Sequence, residues 1–202
     1  MLYKKRDYFN KLSKRVGLTF SRFPLSPNQW TLTGLLLTLI TFYFLIKNEF
    51  IIASAFFAFT AFIDVIDGAV AKVKGKVSVL GTYLDTITDR YVEFIIIFGL
   101  FFVEYPYFIF PSNVWLFIVL FGSLMTSYSI SAAHEEGVDE RKLRGGILER
   151  AERMIFLFLI ILLSTFSRTY SLYLIVIMAI LANITALQRI WIAIRIFKKE
   201  RK

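Results

Sequence analysis

Residues 64–89 read DVIDGAVAKVKGKVSVLGTYLDTITD and place four acidic side chains inside sequence that is otherwise strongly apolar. These side chains are Asp64, Asp67, Asp85 and Asp89. The first two lie three residues apart and the last two four apart, so each pair lies on one face of a helix. Gly75 permits a reversal of the chain between the pairs. The stretch therefore predicts two antiparallel helices whose four carboxylates meet at one depth.

The composition indicates that the chain is an integral membrane protein. Of 202 residues, 57% are hydrophobic, and the mean hydropathy is +0.63, which is too apolar for a soluble domain of this size. The chain contains no cysteine, which excludes disulfides, thiolate metal sites and thiol nucleophiles. The net charge of +9 comes from lysine and arginine at the ends of apolar runs. That distribution is typical of cytoplasmic loops beside an anionic lipid surface and does not favour nucleic-acid binding.

The apolar segments predict an all-α integral membrane protein with six transmembrane helices. Each segment has about 20 residues or a little more, enough to cross a hydrocarbon core of about 30 Å. The segments are 29–47, 50–72, 78–103, 113–133, 147–166 and 170–196.

Two domains follow from this pattern, a basic amphipathic helix on the membrane surface over residues 1–25 and a six-helix domain over residues 26–202. Lysine and arginine concentrate in the arm, in links 72–76 and 141–153, and in the tail, which predicts cytoplasmic termini.

The four aspartates predict a metal site, because so many carboxylates in one membrane pocket need a counter-charge. All-oxygen ligation suits Mg²⁺, Mn²⁺ or Ca²⁺ and disfavours zinc, since the only histidine is His134. Gly68 and Gly81 leave room beside the helices, and Lys72 brings charge suited to phosphate. This combination predicts a site for a metal-bound diphosphate. A divalent-cation transporter is the alternative, although apolar outer halves of both helices do not favour a polar pathway.

The register of the stretch resembles the signature of the CDP-alcohol phosphotransferase family. That signature reads D-x-x-D-G-x-x-A-[RK], eight residues, and G-x-x-x-D-x-x-x-D, and the matching positions are Asp64, Asp67, Gly68, Ala71, Lys72, Gly81, Asp85 and Asp89. Lys72 stands where the family usually has arginine, so the bidentate fork is missing there. The resemblance implies a homodimeric enzyme of the cell membrane with six transmembrane helices. It implies transfer of a phospho-alcohol group from a CDP-alcohol to a hydroxyl acceptor with release of CMP, in phospholipid biosynthesis.

The same resemblance assigns roles to individual residues. The four aspartates are expected to hold Mg²⁺ or Mn²⁺, two ions in all, and Asp89 is also expected to act as general base on the acceptor hydroxyl. The active site is expected to face the cytoplasm. The expected contacts to the CDP-alcohol are Asn28, Thr31, Gly68, Ala71, Lys72, Ser78 and Gly81.

Acceptor choice is expected to depend on three arginines. The sequence GGILERAER over 145–153 resembles the start of the fifth helix in phosphatidylinositol phosphate and archaetidylinositol phosphate synthases, and Arg189 in the sixth segment matches another basic position of that subgroup. The resemblance implies that Arg150, Arg153 and Arg189 bind an inositol phosphate. The donor would be CDP-diacylglycerol or CDP-archaeol. Pairing of Arg150 and Arg153 with nearby glutamates, and snorkelling of Arg189 to the surface, are the structural alternatives.

Other substrates stay open at this point. The sequence after Ser127-Tyr128 lacks the basic pair that those synthases tend to carry. Glycerol phosphate, serine or another polyol phosphate could be the acceptor, and a soluble CDP-alcohol could be the donor. Glu93, four residues beyond Asp89, is expected to hold Arg90 or a neighbouring helix.

Overall fold

Helices account for the regular structure of the described residues, apart from one isolated bridge between Phe108 and Phe110. The computed structural model describes residues 15–75, 78–143 and 145–200. The helices are α1 (Pro27–Ile46), α2 (Phe50–Val73), α3 (Val79–Leu100), α4 (Ser112–Glu135), α5 (Glu140–Leu143), α6 (Arg150–Ser164) and α7 (Arg168–Glu200). The all-α prediction is confirmed, and only the short α5 had no counterpart among the predicted segments.

Four of the described helices are long and apolar enough to cross a membrane, namely α1 from Asn28, α2, α4 and α7. The other two predicted spans correspond to α3 and α6, which fall short of this length or apolarity for separate reasons. Helix α3 has 22 residues but carries four charged side chains between Asp85 and Glu93. Helix α6 has 15 residues, about 22 Å at 1.5 Å per residue, which is less than a full hydrocarbon core. The chain is thus a multi-pass membrane protein, and the number six stays a prediction.

Local sequence explains where the first helices begin and end. Ser26 caps α1, because its side chain accepts a hydrogen bond from the backbone N–H of Gln29 and Gln29 bonds back to Ser26. Ser78 caps α3 in the same manner by accepting from the N–H of Gly81. The reversal after α2 contains Gly75 with φ of +61°, the left-handed conformation that glycine adopts without strain.

The segment before α1 packs on the bundle. Residues 15–20 are helical, and Gly17 lies so close to α2 that a Cβ there would be 2.6 Å from the carbonyl oxygen of Ala69. Lys74, which follows α2, donates to two backbone carbonyls between this segment and α1. Most of the predicted interfacial helix falls in residues 1–14, which lie outside the described ranges, so its location on the membrane stays a prediction.

The core of the bundle and its outer surface are both apolar. Buried side chains from six helices form the main core, for example Leu45, Phe57, Ile96, Leu116, Leu157 and Met178. The outward faces also carry large apolar side chains, including Ile51, Phe59, Phe117, Phe121 and Leu187. An apolar exterior of this extent is suited to contact with lipid.

Candidate active site

Four helix ends meet at the end of the bundle where the aspartates lie. They are the beginnings of α1, α3 and α6 and the last turns of α2. The Thr31 hydroxyl of α1 donates to Asp67 Oδ2 of α2 at 2.8 Å, and Arg150 Nη2 of α6 lies 3.1 Å from Asp64 Oδ1. Across the reversal at Gly75, a carboxylate oxygen of Asp85 on α3 comes close to those of Asp64 and Asp67 on α2, as the spacing predicted.

Three of the aspartates form a compact oxygen cluster. One carboxylate oxygen from each of Asp64, Asp67 and Asp85 lies within 4.8 Å of the others. Oxygen ligands lie about 2.0–2.6 Å from Mg²⁺ or Ca²⁺, so oxygens on opposite sides of one ion are separated by up to about 5 Å. The side chains present therefore fit a hard divalent cation in both spacing and donor type.

Asp89 joins this cluster through an arginine. The guanidinium of Arg150 contacts Asp89 Oδ1 as well as Asp64 Oδ1, and so connects α6 to both α2 and α3. Arg150 thus pairs with aspartates of the signature rather than with neighbouring glutamates. Because the Asp89 side chain is largely buried and Arg150 is 31% exposed, this pair lies at the edge of an accessible space.

A cavity of about 160 Å³ lies on one side of the cluster. All seven residues predicted to contact a CDP-alcohol line it, together with Asp67 and Asp85. Thr82 also lines it and was not predicted, although its position next to Gly81 could have indicated it. The structure thus brings the predicted set together beside the aspartate cluster, while their contacts with a nucleotide stay a prediction.

The two glycines of this cavity have different surroundings. A Cβ on Gly68 would meet no atom of the described residues within 4 Å, so packing among them does not require glycine at this position. A Cβ on Gly81 would lie 3.0 Å from Ser78 Oγ and 3.5 Å from Asn28 Oδ1. Gly68 therefore leaves open space beside the cluster, whereas Gly81 allows two polar side chains to approach the helix.

A second cavity of about 610 Å³ lies on the other side of the cluster and shares Thr31 and Asp67 with the first. Asp64, Asp89 and Arg150 line its polar end. Its remaining walls come from α1, α2, α3 and α6 and are mostly apolar, with Gly34, Phe57, Ala61, Met154 and Phe158 among them. The sequence did not indicate this cavity, because it forms only where α6 packs near α1 and α2.

The other two predicted acceptor arginines lie outside these cavities. Arg153 is 1% exposed and forms an ion pair with Glu93, whose carboxylate also pairs with Arg90. The expectation that Glu93 holds Arg90 or a neighbouring helix is confirmed for both. Acceptor binding by Arg153 stays a prediction.

Arg189 is 6% exposed and therefore does not snorkel to the surface. Its Nη1 donates to the Thr126 carbonyl at 2.7 Å, and its Nη2 lies 3.7 Å from Glu149 Oε1. Among the described residues its Nε has no hydrogen-bond partner. Arg189 thus keeps an unused donor near the loop that precedes α6.

Comparisons with known proteins agree with the signature. The family model described as CDP-alcohol phosphatidyltransferase matches residues 24–196. The archaetidylinositol phosphate synthase of Pyrococcus horikoshii is 36% identical over 195 residues, which are 95% of either chain. The bifunctional IPC transferase and DIPP synthase of Thermococcus kodakarensis is 29% identical over 186 residues, which are 85% of this chain and 40% of that one.

Solved structures show the same fold. Phosphatidylinositol phosphate synthase of Mycobacterium tuberculosis with CDP-DAG bound superposes with a TM-score of 0.78 at 22% identity, over 91% of this chain and 94% of that one. The same enzyme in complex with manganese and citrate gives a TM-score of 0.77 at 22% identity, over 90% and 88%. At this identity the match shows the fold of the helical bundle.

Proposed function

Because this chain belongs to the CDP-alcohol phosphatidyltransferase family, we propose that it transfers a phosphatidyl or archaetidyl group from a CDP-lipid to an inositol phosphate and releases CMP. Membership of this family identifies the chain as a phosphotransferase of phospholipid biosynthesis. It therefore argues against the alternative of a divalent-cation transporter. The lipid donor and the phosphorylated acceptor are the new parts of the proposal.

The assignment of a lipid donor rests on the adjacency of the two cavities, which share Thr31 and Asp67. The small cavity has open space beside Gly68 and the charge of Lys72, which suit a cytidine diphosphate group. The large cavity shares Asp67 with the small one and is lined beyond it mostly by apolar side chains, which suit hydrocarbon chains. A soluble CDP-alcohol would leave the apolar cavity unused, so the geometry favours CDP-diacylglycerol or CDP-archaeol.

Asp64, Asp67, Asp85 and Asp89 are the residues that would hold Mg²⁺ or Mn²⁺, with two ions as the family resemblance implies. Bound there, such ions supply Lewis acidity and neutralise charge on the diphosphate. The relative crystallised with manganese shares this fold, and the oxygen cluster of this chain fits the same class of ion.

The remaining catalytic roles are assigned to individual residues of the chain. In the transfer step, the acceptor oxygen forms a bond to the lipid phosphorus, and the phosphorus–oxygen bond to CMP breaks with its electron pair going to CMP. The Asp89 carboxylate takes the proton of the acceptor hydroxyl. Arg150, already between Asp64 and Asp89, holds that carboxylate and offers charge to an incoming phosphate. The apolar walls limit the access of competing water to the reacting groups.

Two arginines favour a phosphorylated acceptor. Arg150 faces the large cavity, and Arg189 lies buried with an unused Nε donor among the described residues. Buried arginines bind phosphate with charge-assisted, geometrically specific hydrogen bonds. The relative from Pyrococcus horikoshii is named for archaetidylinositol phosphate synthesis, which agrees with an inositol phosphate as the acceptor.

Topology and assembly complete the proposal. Six helices, α1–α4, α6 and α7, would cross the cell membrane, with both termini and the aspartates on the cytoplasmic side because lysine and arginine concentrate in the links at that end. The family resemblance implies a homodimer, and the apolar outer faces of α3 and α4 offer surface for it.

The acceptor is tested by measuring CMP release from CDP-diacylglycerol and CDP-archaeol against inositol phosphate, inositol, glycerol phosphate and serine. Inositol phosphate is expected to exceed inositol at least about tenfold in kcat/KM, because the lost phosphate contacts are each worth about 1.5–3 kcal/mol. Equal use of inositol or serine would contradict the phosphorylated acceptor. Equal use of a water-soluble CDP-alcohol would contradict the role of the apolar cavity.

Arg189→Ala is expected to raise the KM for the phosphorylated acceptor by about tenfold to a hundredfold and to leave the KM for the donor nearly unchanged. The matched control is Arg195→Ala, which removes an arginine that stacks over Trp191 on the same helix at 3.5 Å. Steady-state kinetics with each substrate varied in turn separate the two effects. Equal rises in both KM values would make Arg189 a structural residue.

A further inference from the structure

Two ion pairs, one helical turn apart, connect α3 to α6. The outer pair is Asp89 with Arg150, at the aspartate cluster. The inner pair is Glu93 with Arg153, and each member follows its outer counterpart by three or four residues on its own helix. Residues at this spacing lie on the same helix face, so the two pairs form consecutive links across one helix–helix contact.

The inner pair is a two-point contact. Arg153 Nε donates to Glu93 Oε1 at 2.5 Å, and Arg153 Nη2 donates to Glu93 Oε2 at 3.1 Å. Arg90 Nη1 donates to the same Glu93 oxygen Oε2 at 3.3 Å and to Ser127 Oγ of α4 at 2.6 Å. A guanidinium fork on a carboxylate fixes both distance and direction, so this network sets α6 against α3 along the helix axis and around it.

The inner pair is closed to substrate. Glu93 is 3% exposed and Arg153 is 1% exposed, and neither residue lines the two cavities at the aspartate cluster. Arg150 of the outer pair, in contrast, lines the large cavity. Glu93 and Arg153 therefore reach the reacting groups only through the position of α6.

Stability alone gives little reason for such a pair. Two buried charges lose their hydration, and an apolar pair of similar size is often as stable or more stable, whereas fixing the register of neighbouring elements is the best-supported use of buried polar contacts. Helix α6 has only 15 residues, and the Leu148–Thr185 hydrogen bond joins the loop before it to α7 rather than to α3, so contacts within the bundle must set its position against α3. A slip of one turn would move Arg150 by about 5.4 Å, away from Asp64 and Asp89.

We infer that Glu93 and Arg153 are positioning residues, which set the register of α6 against α3 and thereby hold Arg150 at Asp64 and Asp89. This inference rests on the phosphotransferase activity of the family and gives Arg153 a role other than acceptor contact.

The decisive variant is the double substitution Glu93→Leu with Arg153→Met, which replaces both charges of the inner pair by apolar side chains, while Arg90 loses its contact to Glu93 but keeps its hydrogen bond to Ser127. The full chain is expected to fold, with a melting midpoint in detergent within about 5 °C of wild type. Its kcat is expected to fall by about tenfold or more, while both KM values change by less than about threefold, since the lost interaction acts on the reacting geometry. The acceptor is whichever compound of the panel supports CMP release by wild type, so an error in the proposed acceptor leaves this test intact.

Tyr105→Phe is the control, because it removes a contact to the far end of α6, where the Tyr105 hydroxyl lies 3.0 Å from Ser164 Oγ. Its kcat should match wild type. A folded double variant with wild-type kcat overturns the inference, and so does a selective rise in the acceptor KM at constant kcat, which would make Arg153 an acceptor contact. If the double variant does not fold, Arg153→Lys keeps the charge and loses the fork. It should then show a smaller loss confined to kcat, and wild-type kcat in that variant would also overturn the inference.

Discussion

Asp89→Asn is expected to abolish turnover and to leave binding of the CDP-lipid largely intact. The substitution keeps the shape of the side chain and its contact surface for Arg150, but an amide cannot take the proton of the acceptor hydroxyl. General-base catalysis contributes about 10²–10⁴-fold, and loss of one charged metal ligand adds to that effect. A fall in kcat of about 10³-fold or more is therefore expected. CMP release measures turnover, and titration with a non-reacting CDP-lipid analogue measures binding.

Asp139→Asn is the matched control for this variant. Asp139 is a partly exposed aspartate in the link before α5, and it accepts hydrogen bonds from Arg141 of α5. Within the described part of the chain, none of its ion pairs or hydrogen bonds involves the aspartate cluster. Its substitution should leave both kcat and donor binding at wild-type values. Near-normal turnover in Asp89→Asn would contradict the assignment of the base, and a parallel loss of turnover and donor binding would make Asp89 chiefly a donor or metal contact.

The aspartate cluster could be predicted because its determinants are local. Asp64 and Asp67 share one helix face, Asp85 and Asp89 share another, and Gly75 reverses the chain between them. Helical periodicity and one turn therefore suffice to bring the carboxylates together. Of the residues around the small cavity, Gly68, Gly81 and Lys72 could be singled out from the same stretch. The family resemblance added Asn28, Thr31, Ala71 and Ser78.

The ion pairs between α3 and α6 could not be predicted in the same way. Sequence places Glu93 and Arg153 one turn beyond Asp89 and Arg150, but 60 positions separate the two partners of the inner pair. Only tertiary packing decides which buried acid meets which buried base. The large apolar cavity depends on the same packing, since residues of α1, α2 and α6 that line it are far apart in the chain.

The start of α6 shows how a tertiary contact overrides an apolar pattern. The predicted segment began at the apolar pair Ile147 and Leu148, ahead of the charged stretch over residues 149–153. The helix instead begins at Arg150, because the backbone N–H of Leu148 donates to the Thr185 hydroxyl of α7 and Gly145 has φ of +114°. This short loop places Arg150 in the first turn of α6, where its side chain reaches Asp64.

Removal of divalent cations is expected to stop CMP release completely, because the carboxylates of Asp64, Asp67 and Asp85 would then repel the diphosphate that they otherwise bind through the ion. Added Mg²⁺ or Mn²⁺ should restore the rate. Asp67→Asn should weaken Mn²⁺ binding by about tenfold or more, since it removes one charged oxygen ligand from a site that suits hard cations. Paramagnetic resonance of Mn²⁺ with the substrate-free protein measures this binding independently of turnover.

Two further variants show whether the effect depends on the cluster itself. Thr31→Val removes the 2.8 Å hydrogen bond to Asp67 Oδ2 and should weaken Mn²⁺ binding less than Asp67→Asn, because the ligand stays but loses one restraint. Glu49→Gln changes an acid at the opposite end of α2 and should leave Mn²⁺ binding unchanged. Activity that persists in chelator would contradict a metal-dependent transfer. Equal Mn²⁺ affinity in wild type and Asp67→Asn would show that the ion binds elsewhere. If Asp67 is a ligand, loss of its charged oxygen must lower the affinity.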